Sequence, residues 1–190
     1  MSKKKPIFSD KFKEKLHKLF GYFMAVIAVA LVVVVFGGAY YFVIAPNLVS
    51  KPFIENPSLP DDVLTRIRAG EQVIFSDHIN YIINEIGAYK LKKPFREDNY
   101  PIMEFVLTDI GVRYYSYVKD HVPFTKEGNA KNEDIVIKSS QETAYNMLKS
   151  ENTRAAVKEA NNNGDLEVEM TADMKLLAAK GYLSIYDKVK

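Results

Sequence analysis

The chain has 190 residues, which allows one ordinary domain, or one small domain with an appendage, and excludes two domains of typical size. With no cysteine, it has no disulfide scaffold, thiolate zinc site, iron–sulfur cluster or cysteine nucleophile. The net charge of +2 gives no global reason to expect nucleic-acid binding, but it is unevenly spread: seven lysines in the first eighteen residues face only Asp10 and Glu14, a local +5 against −3 for the remainder.

Residues 1–18 form a basic cytoplasmic segment. Phe12, Leu16, Leu19 and Phe20 recur at helical spacing behind Ser9 or Asp10 as a cap, which predicts a short interfacial helix that continues into the apolar run beginning at Leu19. The lysines read as a topology determinant resting on anionic lipid rather than as a phosphoinositide or nucleic-acid patch.

No charged side chain occurs from Leu19 to Ser50, and Met24–Phe36 has no polar residue at all. A helix over residues 19–45 would be roughly 40 Å long, enough to cross a hydrocarbon layer of about 30 Å with tilt. Phe20, Tyr22 and Phe23 at one end, and Tyr40, Tyr41 and Phe42 at the other, are placed for the two headgroup regions, and Pro46 closes the helix. A cleaved signal peptide shares the basic start, but its apolar run is shorter, and GGAYY after Phe36 is not a clear small-residue cleavage site, so an uncleaved anchor is preferred. Lys3, Lys4, Lys5, Lys11, Lys13, Lys15 and Lys18 before the span, against Lys51 after it, place the N-terminus in the cytoplasm and the C-terminal domain outside it. Gly21 and Ala25 have a helix-pairing spacing, and are read as ordinary lipid-facing residues.

Residues 46–60 hold Pro46, Pro52, Pro57 and Pro60 and read as an extended stalk. The extracytoplasmic domain then covers residues 61–190. A short helix from a cap near Asp61 ends at Gly70; QVIFS over 72–76 reads as a strand; and Ile79, Ile82, Ile83 and Ile86 mark an amphipathic helix stopped by Gly87. Met103, Phe105 and Leu107 share one face of a strand joined through Asp109, Ile110 and Gly111 to a second strand, VRYYSYV. His121, Val122 and Pro123 read as a turn, and residues 134–139 as a third strand completing an antiparallel meander. Ser139 with Glu142 suggests a capping box opening a helix, Asn152 or Thr153 caps the next, and NNNG at 161–164 stops it. Leu166, Val168 and Met170 alternate with Glu167 and Glu169 in a fourth strand, and a last helix starts at Thr171 with Met174, Leu177, Leu183 and Ile185 inward, interrupted by Gly181. The fold class is α+β: an N-terminal single transmembrane helix followed by a small antiparallel sheet covered by helices.

Motifs for catalysis do not emerge. His17, His78 and His121 show no metal-ligand spacing; no nucleophile-elbow, phosphate-loop or dinucleotide motif occurs; and Glu167 with Glu169 reads as a solvated strand face. No catalytic residue, metal or cofactor is assigned. Lys90, Lys92, Lys93 and Arg96, interleaved with Tyr89, Leu91 and Phe95, read as a solvated loop, or as a patch that rests on anionic headgroups.

The run EDIVIKSSQETAYNMLKS, a small helix, NGDLEVEM and the closing helix DMKLLAAKGYLSIYD resemble the sterol-carrier-protein type of lipid-binding domain over roughly residues 72–187. Asp134, the helix pair beginning at Ser139, and the Asn163, Gly164, Asp165 turn carry the resemblance. It implies a sheet and helices enclosing an apolar tunnel for a fatty acyl, sterol or isoprenoid chain. Met103, Phe105, Leu107, Tyr115, Tyr117, Leu166, Val168 and Met170, from the apolar strand faces, are the residues placed near that tunnel; a packed core is the other reading of the same stripe. The expected function is a membrane-anchored, non-catalytic binding protein for a lipid or other apolar ligand. The alternative is a ligand-free interaction subunit, self-associating or part of an envelope complex, that uses a sheet edge or the tyrosines at 114, 115 and 117.

Overall fold

A computed structural model describes residues 10–40, 48–94 and 99–189. The expectations resting on Lys3, Lys4, Lys5, Ser9, Tyr41, Phe42, Pro46, Asn47, Phe95 and Arg96 lie outside these residues. The chain separates into two compact units, Met1–Ala45 and Pro46–Lys190.

Among the described residues, the first unit holds one helix, α1 (Asp10–Ala39). Its stretch His17–Ala39 is long and apolar enough to cross a membrane. Phe20, Val29, Val34 and Phe36 all expose well over half their surface.

The second unit begins as an extended strap laid against the domain. Lys51 pairs with Glu85; Asn84 Nδ2 donates to Pro52 O at 3.1 Å and Asn56 Nδ2 to Leu148 O at 3.0 Å. Proline supplies no donor of its own, so side-chain amides fix this strap, Asn84 through the Pro52 carbonyl and the strap's Asn56 through the Leu148 carbonyl. α2 (Val63–Arg68) comes next. Residues 72–75 then run extended but are not a strand, which corrects the reading of QVIFS. Val73 and Ile74 are fully buried, and their N–H groups are bound by the Gln141 side chain, Oε1 at 2.9 and 3.3 Å, instead of by a neighbouring strand.

α3 (Ser76–Ile86) buries Ile79, Ile82, Ile83 and Ile86, each at 4% exposure or less, which contributes about 1.5–3 kcal/mol per side chain. His78 Nδ1 accepts the Phe75 N–H at 3.1 Å at its start, and left-handed Gly87 ends it. A short turn of 3₁₀ helix covers Ala88–Lys90.

Five strands form one sheet: β1 (Ile102–Leu107), β2 (Val112–Lys119), β3 (Val122–Glu127), β4 (Ile135–Ser139) and β5 (Leu166–Met170), in spatial order β3-β2-β1-β4-β5. β3 corrects the turn expected at His121–Pro123. Asp120 and His121 alone make the turn, both at positive φ between paired Lys119 and Val122, the two-residue hairpin geometry that matches strand twist. Pro123 fits because β3 is an edge strand. The antiparallel meander is corrected as well: β4 pairs with β1 in parallel, Phe105 opposite Ile137, so the sheet is mixed. With β5 antiparallel to β4, Val168 opposite Ile137, the α+β class stands.

α4 (Gln141–Lys149) is capped by Ser140, whose Oγ accepts Thr143 N at 3.1 Å, one residue beyond the expected Ser139. α5 (Thr153–Asn163) is capped by Asn152 and stopped by left-handed Gly164. The last helix is two. Asp173, not Thr171, caps α6 (Met174–Lys180), and Gly181, at φ +92°, turns the chain into α7 (Tyr182–Val189). Leu177 and Ile185 are buried as expected, whereas Met174, at the first position of α6, and Leu183, after the break at Gly181, are exposed.

Candidate functional site: an apolar cavity under the sheet edge

The alternation of β1, β4 and β5 sends Phe105, Ile135, Ile137, Leu166, Val168 and Met170 to one face of the sheet. Ile82 and Ile86 of α3, Val157 of α5, and Tyr182, Ile185 and Tyr186 of α7 close over it. Between them lies a cavity of about 30 Å³. Its walls are hydrocarbon and aromatic, and the only polar side-chain atoms its lining residues bring are the tyrosine hydroxyls. A void of that size matches the share of liquid occupied by one water molecule, and an apolar wall gives a water no partners. Pockets that hold small ligands run to about 300–1,000 Å³. An acyl chain therefore enters only if part of the wall withdraws.

Two parts of the wall bear on such an opening. β5 is an edge strand whose Val168 and Met170 are only half-buried. α7 hangs from Gly181, and its position is set by one buried polar cluster. Asp134 Oδ1 receives Lys180 Nζ at 2.6 Å; Oδ2 accepts Tyr182 OH at 2.9 Å and Ile102 N at 2.8 Å. Lys180 also donates to Tyr100 O at 3.2 Å. Burial, then the Asp134 charge, pushes the Tyr182 hydroxyl well above its usual value, so it stays protonated and a donor.

Of the eight residues placed near a tunnel from the sequence, Phe105, Leu166, Val168 and Met170 line this cavity. Met103 and Leu107 share the same sheet face, buried elsewhere in the core. Tyr115 and Tyr117 stand on the other face, where Tyr117 stacks on Phe124 at 5.4 Å. The residues not foreseen are Ile135 and Ile137 of β4 and, on helices, Ile82, Ile86, Val157, Tyr182, Ile185 and Tyr186. For Ile82, Ile86 and Ile185 the helical period was the available signal, but nothing local says which strands a helix will cover.

The titratable groups elsewhere are engaged structurally. His121 Nδ1 lies 2.9 Å from Tyr89 O, and Lys138 holds Glu169 at 2.9 Å and Glu167 at 3.5 Å on the open sheet face. Burial raises the Tyr114 hydroxyl to about 12, and it donates to Ile74 O at 2.6 Å. No group of three histidine or carboxylate residues suited to a metal occurs among the described residues.

No family model and no curated protein sequence matches the chain. Among solved structures, it is similar to "UbiJ-SCP2 Ubiquinone synthesis protein" at 11% identity and a TM-score of 0.34, over 69% of this chain and 100% of that one. It is also similar to TT1886 of Thermus thermophilus, described as possibly a sterol carrier protein, at 13% identity and a TM-score of 0.31, over 74% and 90%. A third is the sec-alkylsulfatase Pisa1 of Pseudomonas sp., at 16% identity and a TM-score of 0.29, where 44% of this chain matches 13% of the enzyme.

Proposed function

We propose that the protein is a membrane-anchored, non-catalytic binding protein for a single apolar chain, a fatty acyl, sterol or isoprenoid group. The observation that carries this is the cavity itself: an apolar-lined space under a sheet edge, roofed by a short helix joined through glycine. α1 serves as the single-pass anchor, N-terminus in the cytoplasm and domain on the other side, on the strength of its apolar length and the lysines that precede it. Residues 1–18 then form the basic segment, 19–45 the span, 46–60 the connection and 61–190 the binding domain.

The ligand lies between Phe105, Val168 and Met170 below and α7 above, with the cavity widening as α7 lifts. All of the core cluster falls between Val63 and Ile185, so residues 48–190 carry their own core and the strap that is bonded to it. The test is uptake of a fluorescent fatty acid by that fragment and by Val168→Trp, which fills the cavity. Saturable uptake lost in Val168→Trp, with the circular dichroism unchanged, supports the proposal; no uptake by the parent fragment contradicts it.

The second reading, an interaction domain without ligand, is favoured by the open sheet face, where Phe124 is 43% exposed on its stack with Tyr117. A second copy of this chain or a membrane-complex subunit would cover that stack, and Phe124→Ser would then weaken association without touching fatty-acid uptake.

A further inference from the structure

A cavity of about 30 Å³ is far smaller than an acyl chain, so a ligand enters only if one wall gives way, and the walls differ in how they are held. α3 is tied on two sides. Arg154 Nη2 of α5 donates to Glu85 O at 3.0 Å, which also secures α5, and the strap reaches α3 through Lys51 on Glu85 and through Pro52 O, which accepts from Asn84 Nδ2. β1 and β4 are interior strands. β5 is an edge, but it carries more than its ladder to β4: Thr171 N and Ala172 N donate to Asp134 O just past its end, Thr171 Oγ1 donates to Glu133 O at 2.6 Å, and Lys138 spans Glu167 and Glu169.

α7 is held at its first residue. Lys180 on Asp134 Oδ1 pins the α6 side of the glycine joint, while on the α7 side Ser184 N and Oγ both donate back to Gly181 O, within the joint itself. Tyr182, next after Gly181, combines two roles. Its ring lines the cavity, and its buried hydroxyl donates to Asp134 Oδ2 at 2.9 Å, with Ile102 O 3.2 Å away. A ring displaced from the cavity therefore carries its hydroxyl off the carboxylate. Asp134 keeps Lys180 Nζ and Ile102 N when that happens, so the step breaks a hydrogen bond without stranding a charge.

We propose that Tyr182 is a positioning residue for ligand entry, a latch whose hydroxyl on Asp134 holds α7 over the cavity and lets go when an acyl chain takes the space that its ring closes. The inference rests on the lipid-binding reading and deepens it, by assigning the wall that opens and the bond that keeps it shut. Ligand then meets a chain that is open only part of the time, and its apparent affinity is the intrinsic one scaled by the open fraction. Removing a hydrogen bond to a charged group changes such a fraction by about tenfold or more. The gain falls on association, because in the complex the bond is already broken.

The test compares residues 48–190 with two variants. Tyr182→Phe keeps the ring in the wall and removes only the hydroxyl; Tyr114→Phe removes a buried hydroxyl, bonded to Ile74 O, that is not part of the cavity. Stopped-flow binding of cis-parinaric acid should be about tenfold faster in Tyr182→Phe than in the parent, with dissociation unchanged and with no such gain in Tyr114→Phe. In the parent itself, saturating acid should speed amide exchange at Ile185 and Tyr186 of α7 and leave Glu169 of β5 unchanged. Association unchanged or slower in Tyr182→Phe, beside a parent that binds the acid, overturns the latch and leaves the cavity reading intact. An equal gain in Tyr114→Phe, or exchange that speeds in β5 instead of α7, overturns the latch as well. Uptake by neither the parent nor Tyr182→Phe overturns the lipid-binding reading, and the latch with it.

Discussion

The Lys180 ammonium stands 2.6 Å from a carboxylate oxygen of Asp134, with both side chains 2% exposed. Asp134 precedes β4 and Lys180 ends α6, so the pair fastens the glycine joint of α7 to the root of the central strands. The Asp134 carbonyl reinforces this by accepting Thr171 N and Ala172 N at 3.0 and 3.1 Å. Removing one member of such a pair strands the other charge in a medium that solvates it poorly. Asp134→Ala is therefore expected to cost about 3–5 kcal/mol in urea unfolding, and Asp134→Leu/Lys180→Met to recover much of it. Lys138→Ala, which breaks only exposed pairs, should cost at most about 1 kcal/mol.

Gly181 occupies φ +92°, where a Cβ would lie 3.6 Å from Lys90 O, an ordinary contact. The penalty for Gly181→Ala is thus backbone strain rather than collision, about 1–2 kcal/mol. A lowered melting temperature with the secondary structure retained is the expected result.

Gln141 is fully buried and satisfies three backbone groups at once, Val73 N, Ile74 N and Glu71 O. Gln141→Leu leaves all three without partners at similar volume. A loss of at least about 2 kcal/mol is expected, with faster hydrogen exchange at Val73 and Ile74.

Burial lowers the pKa of His78 below its ordinary value of 6.5, with the Ser58 backbone and then Asp77 acting against the shift. The unfolded chain then takes up the proton first. His78 contributes full stability above about pH 6.5 and loses it as pH falls through the lower folded value. Protonation at Nδ1 also ends acceptance of the Phe75 N–H. The decline in unfolding free energy between about pH 7 and 5 should be shallower in His78→Gln.

Elements with a strong period and their own punctuation were legible in the sequence. α3 announces itself through four isoleucines and Gly87, α5 through Asn152 and Gly164, and β5 through strict alternation. What escaped depended on partners far along the chain. The extended run at Val73 has strand composition, but its hydrogen bonds go to Gln141, 68 residues away. β3 hides behind Pro123 and an Asp-His turn that lacks the usual Asn-Gly mark. The parallel pairing of β1 with β4 has no local sign at all. At the cavity, strand alternation pointed to Phe105, Leu166, Val168 and Met170, whereas Tyr182 is placed there by Asp134, 48 residues earlier.

The most direct measurement is native mass spectrometry of residues 48–190, purified from cells without detergent, with organic extraction of whatever is bound. A stoichiometric lipid mass, absent from Val168→Trp, is the result expected. A clean apo mass from protein that also takes up no fatty acid would contradict lipid binding and leave the Tyr117–Phe124 face as the functional surface.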